Sequence, residues 1–266
     1  MASMLFTSAN ISSRTYPSVI SVVPSLTELL SDLGLGEEVK GITKFCVHPQ
    51  KWFQEKTEVG GTKNLDIEKI KSLNADLIIA NKEENTKEQV EELALISDVL
   101  LTDVDSLASA IMAIKNIGAL TGTSDKANEI ANKIENKFFI LQKKNSNYPK
   151  LNAAYVIWRK PPMVAGGDTF ISDMMVQCGL QNVFADRKRY PQINPGDLLM
   201  ENNCDIVILP SEPFPFGAKH IPGFQDIFPK SKVVLADGEM FSWYGSRLLL
   251  TAGYFENFLN TIHLSE

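Results

Sequence analysis

Residues 17–35, PSVISVVPSLTELLSDLGL, and residues 151–180, LNAAYVIWRKPPMVAGGDTFISDMMVQCGL, follow one plan. Each gives a β-branched strand, a loop containing Pro, and an amphipathic helix closed by a glycine, Gly34 in the first and Gly179 in the second. Ser25 reads as the N-cap of the first helix, with Glu28 three places on as its capping box, and Asp168 as the cap of the second. The next units also match. NLDIEKIKSLNADLIIAN (64–81) and INPGDLLMENNCDIVILP (193–210) each run from a short helix through an Asn-bearing break into an aliphatic strand. DVLLTDV (98–104) and KVVLAD (232–237) supply a further strand to each half. Nearly continuous apolar strands alternating with helices imply parallel sheets buried on both faces. A chain that carries this plan twice is therefore expected to be α/β, with two lobes of mainly parallel sheet flanked by helices. The expected organisation is an N-terminal tail (1–16), an N-terminal lobe (17–105), a helical bridge (106–150) and a C-terminal lobe (151–266).

The bridge contains SLASAIMAIKNIGALTG (106–122) and SDKANEIANKIENKFFILQKK (124–144). In the second, Ala127, Ile130, Ala131, Ile134, Phe138 and Leu141 recur at helical spacing. About 21 residues at 1.5 Å rise make a rod of roughly 30 Å. No Gly/Ser/Pro linker joins the halves, so one long α-helix should bridge the lobes and leave the interlobe cleft largely preformed. Ligands of open α/β sheets sit beyond the carboxyl ends of the strands, which directs attention to the loops that follow them.

Composition removes several alternatives. The net charge of the 266 residues is −6 and no Lys/Arg run is dense enough for a nucleic-acid groove, so no nucleic-acid partner is expected. No stretch approaches 18 consecutive apolar residues. Cys46, Cys178 and Cys204 are odd in number and far apart, which argues against a disulfide framework or a zinc knuckle. No GxSxG or HExxH motif is present. The VAGGD segment (164–168) lacks the Lys-Ser/Thr of a phosphate loop and reads as a tight turn. A binding protein rather than an enzyme is expected. The start, MASMLFTSANISSRTYPS, shows no secretory signal, which fits a cytoplasmic chain or one whose signal has been removed.

The strand-end loops are rich in rings. Phe45, His48, Trp52 and Phe53 follow one strand, and Trp158, Arg159 and Met163 another. Tyr190 lies in RKRYPQ, and Phe214, Phe216, His220 and Phe224 in LPSEPFPFGAKHIPGF. DGEMFSWYGSR (237–247) holds Glu239, Phe241, Trp243, Tyr244 and Arg247. Such rings pack either as core or as the wall of a cleft for a large, flat, partly apolar ligand. His48 is a candidate axial ligand to cobalt or iron, or a loop histidine bonded to backbone before Pro49. Cys46 reads most simply as a small buried residue. Arg247 can form an ion pair with Glu239 or offer its planar fork to a ligand.

VPSLTELLSDLGL, NLDIEKIKSLNADLIIA, GGDTFISDMMVQCGLQNVFAD and GEMFSWYGSR resemble the helical-backbone metal receptor family, which includes the cobalamin-binding receptors of bacterial ABC importers alongside heme and siderophore binders. The likeness runs over roughly 17–260. It implies a class III periplasmic-binding-protein-like fold and a substrate-binding protein in the periplasm or at the cell surface. It implies no intrinsic cofactor, a cobalamin-like corrinoid or another metal chelate held in the interlobe cleft, a monomer, and an ABC permease as partner. The pocket aromatics carry over to Phe45, Trp158, Met163 and Tyr190, and the polar groups of the last loop to Glu239 and Arg247. The first transporter-docking glutamate falls on Glu68. The second falls on Gly196, with Asp197 beside it and Glu201 further on, and two pocket tryptophans fall on Thr62 and Asn81. A cytoplasmic corrinoid- or metal-handling enzyme or sensor of the same fold is the alternative, with heme or a ferric siderophore as alternative ligand.

Overall fold

The 17–35 segment folds as the pattern requires, into a strand, β2 (Val19–Ser21), and a helix, α1 (Pro24–Asp32). Its cap differs from the expectation. Val23 is the N-cap and Pro24 occupies the first helical turn, with no side-chain cap. Proline's fixed φ suits that position, so Ser25 lies inside the helix and Glu28 is released from capping. The repeat shows the same kind of shift. Thr169, not Asp168, caps α7 (Phe170–Cys178), its hydroxyl accepting from the Ser172 N–H. Gly34 and Gly179 both take positive φ just past their helices, as a C-terminal stop demands.

The structure, a computed structural model, describes residues 4–7, 11, 13–146, 148–193 and 204–263. The chain divides into two compact units. One holds Met1–Val104, Ala108–Ile134 and Trp243–Arg247; the other holds Asp105–Leu107, Glu135–Ser242 and Leu248–Glu266.

The first unit is built on a six-stranded, wholly parallel sheet in the order β1-β8-β7-β2-β3-β4, where β4 is Thr57–Glu58. Its strands include β1 (Leu5–Thr7), β3 (Val39–Ile42), β7 (Leu77–Asn81) and β8 (Asp98–Thr102). Every side chain of β7 is buried, the signature of a central strand covered on both faces. The edge strand β1 pairs with β8, and Asp98 fastens the N-terminal segment by accepting from the Met4 N–H and the Tyr16 hydroxyl. From β2 the chain passes through α1 to β3 on one side. From β7 it passes through α4 (Lys87–Leu93) to β8 on the other. The switch point between β2 and β7 is where such a sheet offers a ligand crevice.

The second unit repeats the arrangement with four strands in the order β10-β9-β12-β13. These are β9 (Leu151–Arg159), β10 (Pro162–Val164), β12 (Ile206–Pro210) and β13 (Lys232–Ala236), parallel except for the β9–β10 hairpin. The short β11 (Leu180–Asn182) also pairs with β9. A core of Ala154, Val156, Phe184, Val207, Leu209, Phe216 and Phe224 fills its interior.

Helix α5 (Leu107–Leu120) precedes α6 (Ser124–Asn145), which runs for 22 residues, about 33 Å. The division between units falls within α6, between Ile134 and Glu135. All six apolar positions named from its periodicity are buried. Gly118 of α5 lies so close to α6 that a Cβ there would meet that of Ala127 at 2.3 Å, so any side chain would separate the two helices. No described helix is long and apolar enough to cross a membrane.

Candidate functional site

At the carboxyl end of the first sheet, a fully buried set of small polar residues ties the loops together. The Asn85 amide donates to the Val22 carbonyl at 3.3 Å and the Thr62 carbonyl at 3.0 Å, while its oxygen accepts from the Asn81 N–H at 2.9 Å. Asn81 donates to the Thr102 carbonyl and hydroxyl and accepts from the Glu83 and Glu84 N–H groups. Thr27 bonds Ser21, and Thr27 and Thr43 both contact the Cys46 sulfur. Burial pushes the Cys46 thiol up, against these hydrogen bonds. Thr62 and Asn81, the positions that carry pocket tryptophans in the resembling receptors, are thus occupied with holding the β2, β5–β6 and β7 ends in place, where β5 is Gly60–Gly61 and β6 is Asn64–Leu65.

Phe45 rises from this end half exposed (50%), with the Lys44 ammonium 5.2 Å from its ring centroid. Gly61 is tight against it: a Cβ there would lie 3.2 Å from the ring. His48 is partly buried and meets Trp243 edge-on at 5.4 Å. Among the described residues no group of three or more His, Cys, Asp or Glu is arranged to hold a metal ion.

Trp243–Arg247 packs within this same unit. The Arg247 guanidinium lies 5.2 Å from the Trp243 ring and pairs with Glu28, Nε donating to Oε2 at 2.9 Å and Nη2 in ion-pair contact with Oε1 at 2.8 Å. Their side chains are 9% and 17% exposed. Glu28 is held above the usual carboxylate range because burial outweighs the attraction of Arg247. Gly245 takes φ +99°, and a Cβ there would sit 3.1 Å from the Ser25 carbonyl. Trp243 and Tyr244 are buried here. Phe241, just before this segment, is wholly enclosed among Tyr155, Tyr254, Phe255 and Phe258 of the second unit and is a core ring.

The second unit carries an aromatic cluster at the ends of β9 and β12, exposed at Trp158, partly buried at Phe214 and buried at Phe216 and His220. Trp158 (43% exposed) meets Phe214 edge-on at 5.4 Å, and Phe214 continues to Phe216 at 4.6 Å and His220 at 5.5 Å. Met163 pairs with Trp158 across the hairpin and bridges to Gln192, and the neighbouring Tyr190 lies under the Arg189 guanidinium at 5.7 Å. His220 Nδ1 accepts the Gly217 N–H, which places the ring proton on Nε2. Burial lowers the His220 pKa, as do the positive charges of Arg159 and Lys219. Arg159 is exposed, and Glu239 begins the short helix α9 (Glu239–Ser242), where Asp237 caps its N–H. Glu68 is exposed in the first turn of α3 (Ile67–Ser72). Asp197 and Glu201 lie outside the described residues.

In the second unit, Met163 pairs with Trp158 across the β9–β10 hairpin and bridges to Gln192, two positions beyond Tyr190, while Arg159 ends β9. In the first, His48 and Arg247 both meet Trp243, Phe45 stands against Lys44 and Gly61, and Phe241 lies in the core of the second unit. Glu28 is the residue the sequence reading missed as part of this site, because its spacing from Ser25 suggested a cap. Lys219 and His220 follow an aromatic run, and that was their available signal.

Comparison with known proteins agrees with this fold. A family model described as periplasmic binding protein matches residues 19–225. The uncharacterized ABC transporter substrate-binding lipoprotein YvrC of Bacillus subtilis is 26% identical over 199 residues, covering 71% of this chain and 62% of the lipoprotein, so the match spans less than two thirds of that relative. A vitamin B12-binding protein of Photorhabdus laumondii is 23% identical, covering 88% of this chain and 84% of its own. Among solved structures, the periplasmic vitamin B12-binding protein BtuF of Vibrio cholerae superposes with TM-score 0.79 at 18% identity, over 93% of this chain and 98% of that one. The periplasmic heme-binding protein HutB of the same organism gives 0.76 at 18% identity, over 93% and 99%.

Proposed function

The chain belongs to the periplasmic binding protein family, and from that premise we propose that it is the substrate-binding receptor of an ABC importer for a flat metal chelate of the corrinoid or porphyrin class. The observation that carries this reading is that each unit, taken by itself, bears an exposed ring at the carboxyl end of its sheet, Phe45 in one and Trp158, edge-on to Phe214, in the other. Exposed rings backed by rigid strands offer apolar contact to a macrocycle with little ordering cost. The relatives support the class, because one is named for vitamin B12 and a structural neighbour for heme.

In this reading the protein performs no chemistry. It concentrates its ligand outside the cytoplasmic membrane and presents it to a permease, with Glu68 as an exposed acid able to meet a basic permease surface. The test is equilibrium titration, followed by tryptophan fluorescence and the chelate's visible band, with cyanocobalamin, hemin, a ferric tris-catecholate and a ferric tris-hydroxamate. Saturable 1:1 binding of any of them in the micromolar range or tighter is expected. Binding of none refutes the reading.

A further inference from the structure

The aromatic platform of the second unit is bordered by positive charge, although the chain as a whole is acidic. Arg159 and Lys160 leave the end of β9, Arg187, Lys188 and Arg189 precede Tyr190, and Lys219 adjoins His220. Among the described residues, Arg159, Lys160, Lys188 and Lys219 form no ion pair, and all four are exposed. Arg159 directly follows Trp158 at the end of β9, and Lys219 directly precedes His220, whose ring stands 5.5 Å from Phe214, so each cation is carried next to a ring of the Trp158–Phe214–His220 cluster. Three nearby acids are engaged locally, while Asp186 stands exposed beside Arg187. Asp168 accepts from the Arg189 N–H, Glu212 from the Ser242 hydroxyl at 2.6 Å, and Asp237 from the Glu239 N–H at 3.1 Å.

Resting on the receptor reading above, we propose that this platform selects an anionic chelate, one whose rim carries carboxylate or catecholate oxygens, and that Arg159 and Lys219 are the residues that set this preference. A neutral chelate with amide side groups would leave both cations without a counter-charge next to an apolar ring. An anionic rim receives charge-assisted hydrogen bonds from both while its apolar face rests on Trp158. His220 donates from Nε2 and is a polar neighbour here rather than a metal ligand, since its Nδ1 is occupied by the Gly217 N–H.

The probes are hemin, hemin dimethyl ester, a ferric tris-catecholate and cyanocobalamin, titrated against the full chain and against Arg159→Gln, Lys219→Gln and the double variant. Hemin or the tris-catecholate should bind tighter than cyanocobalamin, and which of the two is tighter identifies the source of the anionic groups. Each substitution should weaken the anionic probe about tenfold, as expected for loss of one bond to a charged group, and change the dimethyl ester less than threefold. Raising NaCl from 50 to 500 mM should weaken the anionic probe in the wild-type protein, a readout that stands even where a variant fails to fold. Tighter binding of cyanocobalamin, or a salt-insensitive anionic probe unaffected by Arg159→Gln, overturns the inference while leaving the receptor reading intact. Failure of all four chelates to bind removes the receptor reading, and this one with it.

Discussion

Replacing Arg247 by Met should destabilise the protein by about 3–5 kcal/mol, although the guanidinium sits in a segment the sequence assigns to a ligand loop. Glu28 and Arg247 are mostly buried and joined by one hydrogen bond and a close ion-pair contact. Desolvation already outweighs their attraction, which is why the Glu28 carboxyl lies above its ordinary 4.5. Removing Arg247 leaves the carboxylate buried without that partner, whereas removing both charges in Glu28→Leu/Arg247→Met also removes the desolvation cost. The double variant should therefore recover most of the loss. Arg247→Lys should not rescue, because an ammonium cannot reproduce the fork. For a chain of this size the single variant should melt on the order of 10 °C lower by calorimetry. The pH dependence has a definite sign. A carboxyl whose folded pKa is raised contributes stability that is present below its unfolded pKa and is lost as pH rises through the folded value. Without Arg247 that folded value rises further. The defect of Arg247→Met should thus be small near pH 4.5 and grow toward pH 7.5. An Arg247→Met protein within 1 kcal/mol of wild type at neutral pH, or losses that simply add in the double variant, would refute the reasoning.

Three further outcomes are expected. Tyr155 is fully buried and its hydroxyl has no hydrogen-bond partner among the described residues, so Tyr155→Phe should raise stability by about 1 kcal/mol in urea unfolding, and a loss would show an overlooked bond. Asn85→Ala removes two donors and one acceptor that join three loops, and should cost about 2–3 kcal/mol in the same assay while weakening ligand binding; an unchanged midpoint would deny the network its structural role. Burial pushes the Cys204 thiol up to about 11 and Cys178 higher still, so at pH 8 a thiol reagent should label the native protein slowly and find three thiols after unfolding. Rapid native labelling would contradict this.

The architecture was legible because it rests on long-period signals. Buried strand stretches such as LIIA and the apolar stripe of 127–141 report their surroundings directly, since a parallel strand or a packed helix buries those positions against neighbours on the sheet faces or the helix seam. The caps were less legible. Ser25 and Asp168 are good capping residues by type, but Pro24 and Thr169 take the geometry, and one residue's shift frees Glu28 for a partner 219 positions away. No local pattern encodes a pair so distant. The rings show the same limit: Phe241 and Trp158 are alike in type and in neighbourhood, yet one lies in a core and the other in the open, because only the tertiary fold decides which way a loop turns.

The placement of Trp243–Arg247 has a consequence for anyone who would cut this molecule in two. Neither compact unit is one continuous length of chain. A fragment ending at Ile134 keeps Glu28 but forfeits the arginine that neutralises it, together with the indole against His48. Expressed alone, such a piece would carry a buried acid without its counter-ion. Supplying residues 243–247 as a separate peptide would be the natural attempt at complementation.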